Sequence, residues 1–180
     1  MLSKTIQKFL KKNKVKYEAI EHKTVYTAFD KVATLHAKAA TVGKTVVVAF
    51  DGGIYALGVI PANKNLDKKK LIAAMNKGIE GEGAYPYKKV DFASEQWMRN
   101  HIKGVDLGAT PPFGTMFKYN LKKNCKTDLI FFIDKAMTKQ PKIIVNGGRY
   151  ETSIKITPAA LIKLNQEAVK GSFSMAKNKK

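Results

Sequence analysis

The residues best able to do chemistry in this chain are the run Gly108-Ala109-Thr110-Pro111-Pro112-Phe113-Gly114 and, far upstream, Lys44. Two prolines and two glycines so close together exclude a helix or a central strand, because proline fixes φ and lacks an N–H while glycine opens φ > 0. What remains is a rigid loop with backbone amides on display, suited to holding a carbonyl or a phosphate. Taken alone, the stretch reads equally well as a structural turn. Lys44 opens a β-branched run, Lys44–Phe50, that has the pattern of a buried strand. A lysine entering an apolar sheet is partly desolvated, and uncompensated desolvation lowers an amine's pKa. The alternative is a strand-edge lysine that reaches solvent. No serine, cysteine or histidine forms a recognisable nucleophile–base pair. His22, His36 and His101 are far apart, and the single cysteine, Cys125, has no histidine at zinc spacing. No metal or other cofactor is therefore expected, and Cys125 reads as a passive thiol.

Charge is the second large signal. Lys and Arg number 33 against 14 Asp and Glu, a formal net charge of +19, and Arg99 and Arg149 are the only arginines. Such a chain usually meets a polyanion. Charge carried by lysine suits contact with a phosphate backbone more than bidentate reading of bases, which prefers arginine. A lysine-rich proteome that makes every surface basic is the competing explanation. The length of 180 residues and hydrophobic fraction of 44% suit one domain with a real core. No apolar run reaches the length of a membrane helix, and lysines interrupt the amphipathic N-terminus MLSKTIQKFLKKN, so it lacks a secretory apolar region. A cytoplasmic location without membrane attachment is expected.

The elements that must position these residues alternate in type. Helices are predicted from Ser3 to about Asn13, over Thr27–His36 with Ala28, Val32 and Leu35 inward, over Asp67–Met75, from Ser94 to about His101 with Trp97 in the core, and after Thr157-Pro158. Strands are predicted over Val15–Ile20, Lys44–Phe50, Ile54–Ile60, Leu129–Ile133, Lys142–Val145 and Tyr150–Ile156. Asp51-Gly52-Gly53 and Asn146-Gly147-Gly148 read as hairpin turns. Gly78–Tyr87 reads as a surface loop. From Gly171 the chain is polar and basic and reads as a disordered tail, residues 171–180. The expectation is one α/β domain over residues 1–170, with a mixed, mostly antiparallel sheet flanked by helices.

The chain resembles the YbaK/prolyl-tRNA-editing domains from about Lys16 to Leu164. The resemblance rests on Glu21-His22-Lys23-Thr24-Val25-Tyr26-Thr27-Ala28, on Val42-Gly43-Lys44-Thr45-Val46 opening a strand, and on Val59-Ile60-Pro61-Ala62. It continues through the Gly108–Gly114 loop, Phe132-Ile133-Asp134 at a strand end, and Val145-Asn146-Gly147-Gly148. It implies an aminoacyl-tRNA deacylase, with tRNA as partner and an aminoacyl-tRNA synthetase as a further one. Lys44 carries over as the family's essential lysine. Gly108 and Pro112 carry over as its Gly-x-x-x-Pro loop, whose amides are implied to grip the aminoacyl carbonyl. With them, His22, Thr24, Tyr26, Ala109, Thr110, Pro111, Phe113, Gly114, Asp134, Gly147 and Gly148 are implied to surround the substrate. Asp134 reads equally well as a helix cap. Some members place a histidine after the Gly-Gly turn; here Arg149, Tyr150, Glu151 and Thr152 follow. The implied substrate is a small amino acid wrongly attached to tRNA, alanine or cysteine on the proline tRNA. The mechanism it suggests is attack by water on a positioned ester.

A non-catalytic tRNA-binding or regulatory protein of the same fold is the alternative. Either way the basic surface makes a testable demand. If Lys8, Lys11 and Lys12, or Lys68, Lys69 and Lys70, or Lys177, Lys179 and Lys180 touch phosphates, tRNA affinity falls steeply with salt through counterion release. Replacing a contacting cluster weakens all tRNAs alike and flattens that slope in a salt titration. A slope unchanged by every cluster would assign this charge to solubility.

Overall fold

The computed structural model describes residues 1–77, 79, 86–122 and 125–177. In chain order the elements are α1 (Lys4–Lys12), β1 (Glu18–Glu21), α2 (Ala28–Thr34), β2 (Gly43–Phe50), β3 (Ile54–Pro61), β4 (Lys64–Leu66), α3 (Lys68–Asn76), β5 (Val90–Phe92) and α4 (Glu95–His101). There follow β6 (Lys118–Lys122), β7 (Cys125–Asp128), β8 (Ile130–Asp134), α5 (Lys135–Thr138), β9 (Ile143–Asn146), β10 (Thr152–Ile156), α6 (Pro158–Leu164), β11 (Val169–Gly171) and β12 (Ser174–Ala176). Every helix starts at a side-chain cap: Ser3, Thr27, Asp67, Ser94, Asp134 and Thr157 each accept from an amide in the first turn. Such caps satisfy amides that have no intrahelical partner.

The β2–β3 hairpin is the spine. Its turn runs through Gly52 and Gly53, both at φ near +80° (79° and 76°), where a side chain would be strained. Around it lies a five-stranded sheet ordered β11-β8-β3-β2-β5. It is antiparallel at β3–β2 and β2–β5 and parallel at β3–β8 and β8–β11. A second, antiparallel sheet runs β1-β10-β9. The two meet where Val42, just before β2, bridges to Ile144 of β9. The fold is thus α/β with a mixed sheet, as the alternating elements predict. The larger core, including Ile6, Leu57, Phe113, Ile133 and Ile154, fills one side of the sheet. Val48, Phe50, Phe132 and Phe173 form a second cluster. Trp97 packs against the larger core and stacks on Tyr55 with ring centroids 3.6 Å apart. Among the described residues no helix is long and apolar enough to cross a membrane.

The chain end departs from expectation. Residues 171–177 are not a loose tail: β11 closes the edge of the main sheet beside β8, and β12 pairs with β4. One aromatic residue explains the difference. Phe173 is 1% exposed and meets Phe132 edge-on, with centroids 5.6 Å apart. Burying such a ring contributes about 2 kcal/mol or more, enough to hold a short polar segment down. Residues 178–180 and most of the loop expected over 78–87 lie outside the described residues. The strands β4 to β7 were not foreseen, being short or rich in lysine.

Asp134 fastens this closure. It is 2% exposed, and its Oδ1 accepts from the Ala136 amide at 2.7 Å while its Oδ2 accepts from the Phe173 amide at 2.7 Å. Asp134→Ala removes both acceptors and is expected to cost about 2–4 kcal/mol, combining a lost cap with a buried amide left unpaired. Urea denaturation measures the loss. An unchanged midpoint would show that the carboxylate holds neither amide.

Candidate functional site

The site begins with the start of α2. Thr27 and Asp30 form a reciprocal cap: the Thr27 hydroxyl accepts from the Asp30 amide at 3.1 Å, and Asp30 Oδ2 accepts from the Thr27 amide at 3.2 Å. The helix turns Ala28, Val32 and Leu35 toward Val42, Ala62 and Ile144. Lys31 sits on the same stripe, three residues after Ala28, and is 5% exposed. Its Nζ donates to Asn146 Oδ1 at the end of β9. The Asn146 amide nitrogen donates in turn to the Thr110 carbonyl at 3.3 Å, which fixes which side of the amide faces Lys31.

Two loops are then locked together. The Gly148 amide donates to the Ala109 carbonyl at 3.0 Å, and the Asp106 amide donates to the Gly148 carbonyl at 2.9 Å. Gly148 holds φ 87°, and a Cβ there would lie 2.3 Å from Ile6. Asp106 also accepts from Arg149 at 2.8 Å and from the Tyr150 amide at 3.2 Å. Tyr150 packs over Gly108 so closely that a Cβ on Gly108 would come 2.9 Å from the ring. On the first sheet edge, the Val25 amide donates to the Tyr150 carbonyl at 3.1 Å.

Between these parts lies a cavity of about 310 Å³, lined by Lys31, Lys44, Thr45, Gly108, Asn146 and Tyr150 together with Val25, Tyr26, Thr27, Ala28, Ala109 and Arg149. Lys44 donates to the Lys64 carbonyl at 2.8 Å. Burial holds its pKa below the usual lysine value, and the nearby Lys177 ammonium lowers it further. Burial pushes Lys31 down to about 8. No Asp or Glu is among the lining residues. Tyr26, 70% exposed, leans on the Tyr150 ring at the rim, with centroids 5.0 Å apart.

The structure divides the predicted loop in two. Gly108 and Ala109 reach the cavity; Pro111, Pro112, Phe113 and Gly114 do not line it. Phe113 is fully buried and stacks on Phe9 at 5.5 Å. The Gly114 amide donates to Asn165 Oδ1 at 2.6 Å, and Asn165 donates to the Pro112 carbonyl at 2.9 Å. The expected display of amides is correspondingly narrow. Ala109, Thr110, Phe113 and Gly114 all spend their N–H groups within the fold, whereas the Gly108 N–H meets no acceptor among the described residues. Thr110 is buried and bonds its hydroxyl to the Leu107 carbonyl at 2.7 Å. Gly147 and Gly148 shape the turn behind the cavity without lining it. Asp134 acts as the cap described above. His22 lies elsewhere, bonded to Ser153 Oγ at 2.8 Å, and Thr24 reaches Glu151 at 3.1 Å.

This geometry can be set beside known proteins. The family model for the aminoacyl-tRNA editing domain matches residues 22–164. The chain belongs to that family. No curated protein matches it in sequence. Among solved structures it is similar to the hypothetical protein APE2540, with a TM-score of 0.74 and 17% identity over 96% of this chain and 100% of that one. It is also similar to a candidate trans-editing enzyme for prolyl tRNA synthetase, with a TM-score of 0.71 and 20% identity over 98% of this chain and 100% of that one. At these identities the likeness establishes the fold. In this editing domain the matched segment contains every residue that lines the cavity.

Sequence reasoning missed Lys31, Thr45, Asp106 and Tyr150. The signal for Lys31 was available: it falls on the inward stripe of Ala28 and Leu35, where a lysine interrupts an apolar pattern. Among the described residues no group of His, Cys, Asp and Glu could hold a metal.

The low pKa of Lys31 has a defined consequence. Below about pH 8 both folded and unfolded chains carry the proton, so folding bears the full cost of burying the charge. Between about 8 and the ordinary value of 10.5 the unfolded chain holds more proton, so stability rises with pH. Lys31→Met lacks this term. Relative to it, the native protein is expected to gain on the order of 3 kcal/mol from pH 7 to 10.5, since each pKa unit is worth about 1.4 kcal/mol. Denaturant titrations of both proteins at pH 7, 9 and 10.5 check this. A constant difference would show that the amine is not buried as a cation.

Proposed function

We propose that the protein is a trans-acting aminoacyl-tRNA deacylase of the cytoplasm, which hydrolyses the ester joining a small, wrong amino acid to the 3′ end of a tRNA. Alanine or cysteine on the proline tRNA are the candidates that the family resemblance supplies. The observation that carries this reading is the cavity itself: a half-buried lysine on a strand, Lys44, lines it together with a loop whose Gly108 N–H has no acceptor among the described residues.

The chemistry follows from those groups. Attack by water on the ester carbonyl gives a tetrahedral oxyanion, and a fixed N–H aimed at that oxygen lowers the barrier; loss of one such donor costs roughly 3 kcal/mol in other hydrolases. The Gly108 N–H is the donor for this role. Its rigidity comes from the Ala109–Gly148–Asp106 clamp, so it needs no rearrangement as charge develops. Lys44 supplies the cation that holds the terminal nucleotide's phosphate near the bond to be cut. The absence of carboxylates from the lining favours a negatively charged substrate end. Water is the nucleophile in this reading: the lining holds no Ser, Cys or His, and its Thr and Tyr hydroxyls have no histidine among the lining residues to activate them.

Deacylation of alanyl-, cysteinyl-, seryl- and prolyl-tRNA, offered side by side, tests the reading. Lys44→Ala is expected to cut turnover by roughly 100-fold or more while thermal stability stays within about 1 kcal/mol, since a partly desolvated cation adds little to the core. Lys44→Arg is expected to fail as well, because a planar guanidinium cannot replace a compact ammonium in a tight site. Full activity in both variants would remove Lys44 from the reaction. Tight tRNA binding with no ester cleaved would leave the non-catalytic binding protein.

A further inference from the structure

The deep wall of the cavity is more polar than a filter for an apolar side chain requires. Lys31 is 95% covered (5% exposed), and its ammonium has three N–H donors. One goes to Asn146 Oδ1; the other two meet no acceptor among the described residues. No carboxylate among the described residues pairs with it. On its own helix Asp30 is turned back to cap Thr27, and across the cavity Asp106 is taken by Arg149 and the Tyr150 amide. Asn146 cannot turn away, because its nitrogen is held by the Thr110 carbonyl. Thr45 also lines the cavity, but its Oγ1 is covered and does not face that space; it meets no hydrogen-bond partner among the described residues. A buried donor left unpaired is costly, and a buried uncompensated charge more so. An ammonium with two unspent donors on the cavity wall marks the place of a ligand oxygen.

A methyl or thiol side chain would leave the two unspent donors of Lys31 unsatisfied. A short side chain ending in oxygen would satisfy them, and a site built around such a bond strongly rejects analogues that lack it. We propose that Lys31 selects the aminoacyl group by an oxygen on its side chain, so that the preferred ester carries a hydroxyl or a carboxylate rather than the side chain of alanine or cysteine. This rests on the deacylase reading in one respect, that the aminoacyl end of a tRNA enters this cavity. Within that reading Lys31 is a specificity residue, distinct from Lys44 and Gly108, which act on the ester whatever its side chain.

The test uses acceptor-stem RNAs that carry seryl, aspartyl, alanyl or cysteinyl groups through a 3′ amide, which is not hydrolysed. Their affinities are measured for the native protein, Lys31→Met and Thr45→Val, in parallel with deacylation of the matching esters. The native protein is expected to bind the seryl or the aspartyl RNA about tenfold or more above the alanyl RNA, one well-placed hydrogen bond to a charged group being worth at least that. The two oxygen arms tell a hydroxyl from a carboxylate. Lys31→Met should bring that ratio near one while the alanyl affinity stays almost constant, and Thr45→Val, whose lost hydroxyl does not face the cavity, should leave the ratio unchanged. A merely structural role for Lys31 would not move the ratio. Equal affinities in the native protein would overturn the proposal, as would an equal loss for all four RNAs in Lys31→Met, which would make Lys31 a phosphate contact. Should Lys31→Met fail to fold, Lys31→Gln gives the same comparison. Selective binding with no ester cleaved would defeat the deacylase reading and keep this inference; cleavage of all four esters at equal rates with equal binding would do the reverse.

Discussion

The site depends on one backbone exchange, the pairing of Gly148 with Ala109 and Asp106. A turn that must accept and donate in the same few ångströms needs a residue at positive φ with no side chain, and Gly148 at φ 87° is that residue. The Asp106 carboxylate then completes the lock by accepting from Arg149 and the Tyr150 amide. Three consequences follow from this single joint. Tyr150 is pressed over Gly108, the Gly108 N–H is left without an acceptor among the described residues, and Asn146 is oriented with its oxygen toward Lys31. Without the joint, the loop before Thr110 and the turn after Asn146 would be two independent surface segments, each free to move on its own.

The second constraint is electrostatic. Lys31, Lys44 and Arg149 converge on a space with no acidic lining, although the chain carries 14 acidic residues. Four of them do structural work instead. Asp30, Asp67 and Asp134 cap helices, and Asp106 clamps the loops. Like charges converging, with a carboxylate partner among the described residues for Arg149 alone, destabilise a fold, so the stability must come from elsewhere. The continuous β2–β3 ladder and the two apolar clusters beside it supply it. The arrangement suits a pocket whose missing negative charge arrives with the ligand.

Much of the fold was legible because its signals are local. Caps at Ser3, Thr27, Ser94 and Thr157, the β-branched run of β2 and the Gly-Gly turns each act within a few residues, and each appears where the pattern places it. The chain end was misread because its order depends on a pairing between distant segments. Nothing near Phe173 says that Phe132 waits to receive its ring or that Asp134 will bind its amide. The Gly108–Gly114 loop was read as one functional unit because proline and glycine announce rigidity but not direction. Only the packed structure shows that its second half belongs to the core, where Asn165 ties it to α6.

Lys31 shows why the chemistry was harder to read than the fold. Its position on an inward stripe was visible, yet a lone lysine in a short helix is ordinarily taken to stretch out to solvent. What decides otherwise is a contact across 115 positions of chain, to an asparagine that is itself held by a carbonyl in a third segment. Each of the three groups is unremarkable alone. Together they leave the ammonium one firm acceptor among the described residues and a cavity in front of it. A functional polar group in a core is therefore recognised by counting bonds it has not made, a count that begins only once the distant segments have been brought together.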